Sequence, residues 1–317
     1  MRVLITGGAG FIAFHVASQL LAQGHDLTLV DNFDGFYDPA IKRGNVKDLQ
    51  AIRPVRICEI DILEQEALRR AFESSRPEAV IHLAARAGVR PSLQAPSHYA
   101  SVNITGTVHV LELAREFGVE RFIFGSSSSI YGGNTKVPFS EGHPTDRPIS
   151  PYAATKRAGE LLCHTYAHNY GMHVTCLRFF TVYGPRQRPE MAIHRFARLI
   201  WEGKEVPVYG DGQTRRDYTY VEDIVSGVLA AIELNPHYEI FNLGESQTIS
   251  LRDLIALLES GLSRKARLCF LPSQPGDMEV TFADIGKAQR FLGYQPKTPI
   301  REGIRKFVAW FLASRKA

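Results

Sequence analysis

The stretch Arg2-Val-Leu-Ile-Thr-Gly-Gly-Ala-Gly-Phe-Ile-Ala13 decides the fold. Arg2 to Thr6 is a short apolar run of strand character, Gly7-Gly-Ala-Gly10 follows, and an apolar, helix-like segment runs from Phe11 to Gln23. Strand, glycine turn and helix in that order open a dinucleotide-binding unit. Glycine is required at Gly7 and Gly10 because the backbone must bend tightly and then approach a pyrophosphate, with the first N–H groups of the helix, at Phe11 and Ile12, facing the anion. Ala13 stands where the fingerprint has its third glycine and is small enough for close packing of helix on strand.

Working outward, a second strand, Leu27-Thr-Leu-Val30, ends in Asp31-Asn32, about 20 residues past the glycines, where a carboxylate accepts hydrogen bonds from the adenosine ribose. A carboxylate there repels a ribose phosphate, so Asp31 selects NAD over NADP. Two more strand ends fit the same pocket, one leading to Asp61-Ile62 and one to Leu83-Ala84-Ala85. Up to Arg178, strands near residues 2, 27, 56, 79, 121 and 173 alternate with helices at 11–23, 64–75, 101–118 and 152–170. Such alternation predicts an α/β protein with a doubly wound parallel sheet of Rossmann type. After Tyr183 the chain turns loop-rich and basic, which predicts a smaller C-terminal substrate lobe. The expected division is a dinucleotide domain at 1–180, with returning segments near 217–245, and a substrate lobe at 181–317 interleaved with it.

Composition bounds the remaining possibilities. The chain has 317 residues, 44% of them hydrophobic, enough for a large core plus a second lobe. A net charge of +4 without a dense basic tract argues against nucleic acid and suits anionic small ligands. The four cysteines, Cys58, Cys163, Cys176 and Cys269, lack metal or redox spacing, and no apolar run is long enough to cross a bilayer. With Met1 leading directly into the first strand, a cytoplasmic protein without a leader is expected. The tail from Arg301 to Lys316 places Ile304, Phe307, Val308 and Phe311 at helical spacing, a surface helix packed on the body.

The chemistry is carried by Tyr152 and Lys156 in Ser150-Pro-Tyr-Ala-Ala-Thr-Lys156, preceded by the serine run Ser126-Ser-Ser-Ser129. A phenol one helical turn from an ammonium group can take a proton from an alcohol, since a nearby positive charge lowers a tyrosine pKa from about 10.

Together the glycine turn, the acidic strand end, the serine run and the Tyr-x-x-x-Lys pair resemble the extended short-chain dehydrogenase/reductase superfamily. Within it the chain is most similar to the NAD-dependent nucleotide-sugar epimerases, and closest to UDP-glucuronate 4-epimerases. The telling stretches are Ser126 to Thr135, Tyr152 to Lys156, Leu177-Arg-Phe-Phe-Thr-Val-Tyr-Gly-Pro185 and Arg216-Asp-Tyr-Thr-Tyr-Val-Glu-Asp223. Dehydratases of this superfamily carry an Asp-Glu pair shortly before the Val-Tyr-Gly turn, and the related decarboxylases a Glu. This chain has Ser128 and Ser129, whose hydroxyls have too high a pKa to do a carboxylate's work, so elimination is disfavoured.

The resemblance implies that Tyr152, as phenolate, takes the proton of the sugar 4-hydroxyl through Ser127 while C4 passes a hydride to tightly bound NAD. Lys156 would support the phenolate and bind the nicotinamide ribose, with Asn103, Ser126 and Phe180 on the nicotinamide side. A 4-keto glucuronate is a β-keto acid and must be kept from losing CO2. Arg188, or Arg90, would grip the carboxylate, helped by Ser128, Ser129 and Thr181. The uridine diphosphate would meet Arg216 or its neighbour Arg215, Asp277 on the ribose, and Val208 and Tyr209 beside the base. UDP-glucose or UDP-galactose is the alternative substrate; a decarboxylase or a non-catalytic NAD-sensing scaffold stands further off. His82 reads as a core or cofactor-lining residue, and His164 and His168 lack a metal-binding context. A homodimer is expected through the helices at 96–117 and 152–170.

Overall fold

The computed structural model describes residues 1–272 and 278–315. Seven parallel strands form the main sheet. Six follow the predicted alternation: β1 (Arg2–Thr6), β2 (Asp26–Asp31), β3 (Arg56–Glu59), β4 (Ala79–His82), β5 (Arg121–Ser127) and β6 (Val174–Phe179). The seventh, Tyr238–Leu243, returns from the second half of the chain to pair with β6. Across the sheet the order is Tyr238–Leu243, β6, β5, β4, β1, β2, β3. The chain winds one way from β1 to β3 and the other way from β4 onward, so the crevice between the carboxyl ends of β1 and β4 is the topological switch point where such sheets take ligands. Thr6, the last residue of β1, pairs with Val30 on one side and His82 on the other.

Helices cover both faces. α1 (Phe11–Ala22) packs Val16, Ala17, Leu20 and Leu21 into the larger core cluster, while Leu68, Phe72, Val110 and Leu113 fill the cluster on the opposite face. The segment after β2 forms a further helix, α2 (Pro39–Ile52), which apolar spacing did not reveal. The helix expected over 101–118 begins earlier, at Pro96, and continues to Glu116 through a π-helical turn at Ser101–Thr105. Gly106 lets it pack closely, because a Cβ there would meet Ile62 Cδ1 at 2.5 Å.

Three two-stranded sheets stand beside the main sheet among the described residues. Glu205–Tyr209 runs parallel to Arg267–Leu271, and Arg215–Arg216 antiparallel to Ile249–Ser250. Thr181–Tyr183 pairs in parallel with Tyr218–Tyr220. The C-terminal helix, Ile300–Ala313, buries Ile304, Phe307, Val308 and Phe311 as its spacing predicts. No described helix is long and apolar enough to cross a membrane.

Candidate active site

The helix Pro151–Tyr170 carries both Tyr152 and Lys156. It starts there because the Ser150 hydroxyl accepts the Ala153 N–H at 3.1 Å and Pro151 is preset for the first turn. Its approach to β5 depends on Gly159, where a Cβ would lie 2.3 Å from Phe124 Cζ. That close contact brings the Tyr152 ring to the serine run at the end of β5. The run itself turns back sharply: Ser127 Oγ caps the short turn Ser128–Tyr131, accepting from the N–H and the hydroxyl of Ser129 at 3.2 and 3.0 Å.

Burial raises the Tyr152 pKa, and two groups oppose it, a hydrogen bond with Ser127 and the nearby Arg188 charge. Lys156 is held on the backbone of β5. Its Nζ donates to the Gly125 carbonyl at 2.6 Å, lies over the Phe124 ring at 5.0 Å, and is pushed down by burial to about 8. Behind it, Glu160 gathers Arg178, Arg157 and Ser126: its carboxylate accepts from Arg178 Nε and a terminal nitrogen at 2.8 and 2.9 Å, and from Ser126 Oγ at 2.7 Å. This buried network ties the tyrosine helix to the ends of β5 and β6.

At the switch point, Gly7 has φ of +66°, and a Cβ on it would sit 2.8 Å from the Ala84 N–H nitrogen. Only glycine fits between the turn and the end of β4. Gly10 begins α1 with no side-chain cap, so the first N–H groups at Phe11 and Ile12 are left for an anion. Asp31 accepts the Ala9 N–H at 3.2 Å and is paired with buried Lys42 at 3.1 Å. Asn32 donates to Asp61 at 2.8 Å, which joins the ends of β2 and β3 beside Ile62. Leu83 and Ala84 are fixed by Thr6, through its carbonyl and hydroxyl, and Ala85 follows at the rim. His82 is held neutral by burial, near 3, between Thr6 and Thr107 hydroxyls, a core residue as read from the sequence.

Asn103 spends its amide on structure: it bridges the Arg86 backbone, at 2.8 and 3.0 Å, and Thr155 Oγ1 at 2.9 Å. Phe180 is buried and bonds Leu243 through its backbone. Two residues that the sequence reading missed stand here. Tyr99 packs edge-on against Tyr152, ring centres 6.3 Å apart, and donates to the Ala87 carbonyl. Arg86 pairs with Asp34 and covers Phe36, yet its Nε is buried without a partner among the described residues. A basic residue directly after the alanine pair was the available signal. This orphaned donor, the glycine cradle and the open helix N-terminus suit a dinucleotide.

On the substrate side, Arg188 lies over Phe36 at 5.7 Å, pairs with Glu190 at 3.2 Å, and its charge reaches Tyr152, Tyr99 and Tyr37. Thr181 heads the strand paired with Tyr218–Tyr220, and Ser128 and Ser129 stand at the half-buried serine turn. Arg90 stacks on Tyr209 at 4.7 Å, so these two candidates meet. Val208 is fully buried in the core, leaving Tyr209 as the accessible member of that pair. Arg215 is engaged by Thr248 at 2.8 and 2.9 Å, while Arg216, the next residue along the strand, bonds the Arg215 and Glu279 carbonyls. Asp277 lies outside the described residues. No cluster of three or more metal-binding side chains occurs among the described residues.

Residues 3–244 match the model of the NAD dependent epimerase/dehydratase family. A UDP-glucuronate 4-epimerase of Thermodesulfobacterium geofontis is 44% identical over 309 residues, which is 97% of this chain and 95% of that protein. Among solved structures, a UDP-glucuronic acid 4-epimerase of Bacillus cereus in complex with UDP-glucuronic acid and NAD superposes with a TM-score of 0.92 at 35% identity, covering 99% of this chain and 100% of that one. A UDP-glucose 4-epimerase of Thermotoga maritima with UDP-glucose gives 0.91 at 34% identity, with the same coverage.

Proposed function

The chain belongs to the NAD-dependent epimerase/dehydratase family, and from that premise we propose that it is a 4-epimerase converting UDP-glucuronate to UDP-galacturonate through a 4-keto intermediate. NAD, when bound at the β1/β4 crevice, supplies a reversible two-electron sink. The glycine turn, the α1 N-terminus, Asp31, Asn32, Asp61, Ile62, Leu83, Ala84, Ala85, Ser126, Phe180 and Lys156 would hold it, with Asn103 fixing the wall behind and the Arg86 Nε as a further donor.

Tyr152 takes the proton of the 4-hydroxyl, with Ser127 bridging between the two hydroxyls. Arg188 grips the sugar carboxylate with help from Ser128, Ser129 and Thr181. That grip keeps the C5–carboxylate bond out of line with the C4 carbonyl while the ketone turns over in the pocket. Arg216, or its neighbour Arg215, meets the diphosphate. Tyr209, Arg90 and Asp277 complete the nucleotide site. The observation that carries the reading is a turn of serines that bears no carboxylate, joined to the Tyr152 phenol by Ser127, with the Arg188 charge near enough to act on that phenol.

The UDP-glucose structure, of nearly equal similarity, favours a second reading in which the sugar lacks a carboxylate. Incubation of the purified protein with each UDP-sugar, followed by separation of products, decides between them. UDP-galacturonate from UDP-glucuronate is expected. Turnover of UDP-glucose with no UDP-galacturonate formed would overturn the proposal, and UDP-xylose or its 4-keto precursor would indicate a decarboxylase.

The division into a dinucleotide domain at 1–180, with 217–245 returning to it, and a UDP-sugar lobe at 181–317 is part of this reading. So is a homodimer through the helices at 96–117 and 152–170, supported by Leu161 and Tyr170, each about half exposed on the tyrosine helix. Four free cysteines fit a reducing, cytoplasmic setting.

A further inference from the structure

The loop that carries Arg188 is fastened at its neighbour. Arg186 adopts φ of +66°, a left-handed conformation that a non-glycine residue keeps only where surrounding contacts over-determine it. Those contacts reach the dinucleotide half of the molecule. The Arg186 guanidinium lies over the Phe14 ring of α1 at 4.0 Å, donates to Asn45 Oδ1 of α2 at 2.8 Å, and pairs with Asp48 at 2.5 Å. His15, also on α1, bonds the Pro185 carbonyl at 2.9 Å. On the loop's inner side, Gln187 is buried and bonds the Val182 carbonyl and the backbone of His194.

Asn45 is 1% exposed and joins two partners. Its Oδ1 receives Arg186, and its Nδ2 donates to the Ala9 carbonyl at 3.0 Å, in the middle of the glycine turn. One amide therefore connects the turn at the switch point to the loop that bears Arg188, two residues from the fastening.

We propose that Asn45 and Arg186 are positioning residues that register the Arg188 loop on the glycine turn, and that this register keeps the 4-keto sugar from losing CO2. The inference rests on the proposed action on UDP-glucuronate. With Arg188 displaced, the carboxylate is free to align with the C4 carbonyl. The bond from C5 to the carboxyl carbon then breaks, CO2 leaves, and the electron pair becomes the enolate of the ketone, which takes up a proton to give a 4-keto pentose.

Arg186→Met retains the packing over Phe14 and removes both polar contacts; Asn45→Asp keeps an acceptor for Arg186 and loses the donor to Ala9; Asp48→Asn weakens the half-exposed ion pair alone. Turnover of UDP-glucuronate, CO2 released per turnover, UDP binding by calorimetry and NAD content are measured for each. Arg186→Met is expected to lower turnover on the order of tenfold to a hundredfold, as small misplacements do, and to raise the CO2 fraction, with UDP binding and NAD content unchanged. Asn45→Asp, which keeps the contact to Arg186 but cuts the one to the glycine turn, is expected to raise the CO2 fraction too, though less than Arg186→Met does. Wild-type partition and rate in Arg186→Met, or an equal fall in UDP binding, NAD content and turnover, would overturn the positioning role. If Arg188→Ala impairs turnover and Arg186→Met does not, the register alone fails. A wild-type protein inactive on UDP-glucuronate overturns the functional reading and this inference together.

Discussion

Lys156 Nζ and the Gly125 carbonyl oxygen lie 2.6 Å apart, an ammonium held on strand backbone one helical turn from Tyr152. Burial lowers the lysine from 10.5 to about 8, with Cys163 and Glu160 opposing the shift. Any step that needs the ammonium charge should therefore weaken as pH rises through about 8, and kcat/KM against pH is expected to show a descending limb there. Lys156→Arg, which stays charged, should lack that limb at whatever rate it retains. Stability carries the opposite sign: between about 8 and 10.5 the unfolded chain binds the proton that the folded one has lost, so folding becomes more favourable with pH in that window. A flat alkaline profile would remove the Lys156 charge from the rate.

Tyr152 is raised by burial and drawn back by Ser127 and Arg188. Tyr152→Phe keeps the ring against Tyr99 and removes the base. Turnover is expected to fall by about 10²–10⁴, the usual worth of a positioned acid–base group, with UDP affinity unchanged by calorimetry. A loss of UDP affinity in step with turnover would make the phenol a binding contact instead.

Gly159 sets the distance between the tyrosine helix and β5. A methyl group there would meet Phe124 Cζ at 2.3 Å, so Gly159→Ala must shift the ring or the helix. Overpacking of this kind costs about 1–3 kcal/mol, readable as a lower urea midpoint. Because the displaced helix carries Tyr152 and Lys156, turnover should fall further than the loss of folded protein explains. Full activity per folded molecule would show that the ring moves and the helix does not.

The glycine turn, Asp31 and the Tyr152/Lys156 pair were legible in the sequence because each imposes a residue type at a fixed interval. α2 was not, because its buried positions are Lys42, Asn45, Val46 and Leu49: the spacing is helical, but two of the four are polar, held by Asp31, Ala9 and Arg186 rather than by apolar contact. Val208 reads as a base-flanking residue from its neighbour Tyr209, yet strand alternation turns it into the core. Tyr99 and Arg86 are brought to the site by chain segments whose packing no local pattern encodes. The effect of Lys156 on Tyr152 depends on where its ammonium points, and that is decided by the Gly125 carbonyl.

Glu245 links the stability of the fold to pH. It is 9% exposed, its Oε2 has no hydrogen-bond partner among the described residues, and burial, with Asp223 and Asp217 nearby, pushes it up to about 8. The folded protein thus keeps a proton that the unfolded chain releases above about 4.5. The associated stability is fully present below that value and is lost as pH rises through about 8. Glu245→Gln, neutral throughout, is expected to flatten the decline of the urea midpoint across this range. An unchanged slope would assign the decline to other groups.

Glu190 holds the guanidinium proposed for the sugar carboxylate, 3.2 Å from Arg188 Nε, and both side chains are partly exposed. A pair of this kind is worth about 0–1 kcal/mol, so a substrate carboxylate displaces it at small cost, while a sugar without a carboxylate leaves it intact. Glu190→Gln removes the competitor and should lower KM for UDP-glucuronate by up to about fivefold, the equivalent of 1 kcal/mol. KM for UDP-glucose should not move. The gain should shrink at high salt, because screening weakens exposed pairs. Equal changes for both sugars would place Glu190 outside the discrimination and return it to the ordinary surface; a change confined to the acidic sugar would show that Arg188 is contested by a carboxylate of the chain itself before it meets one on the substrate.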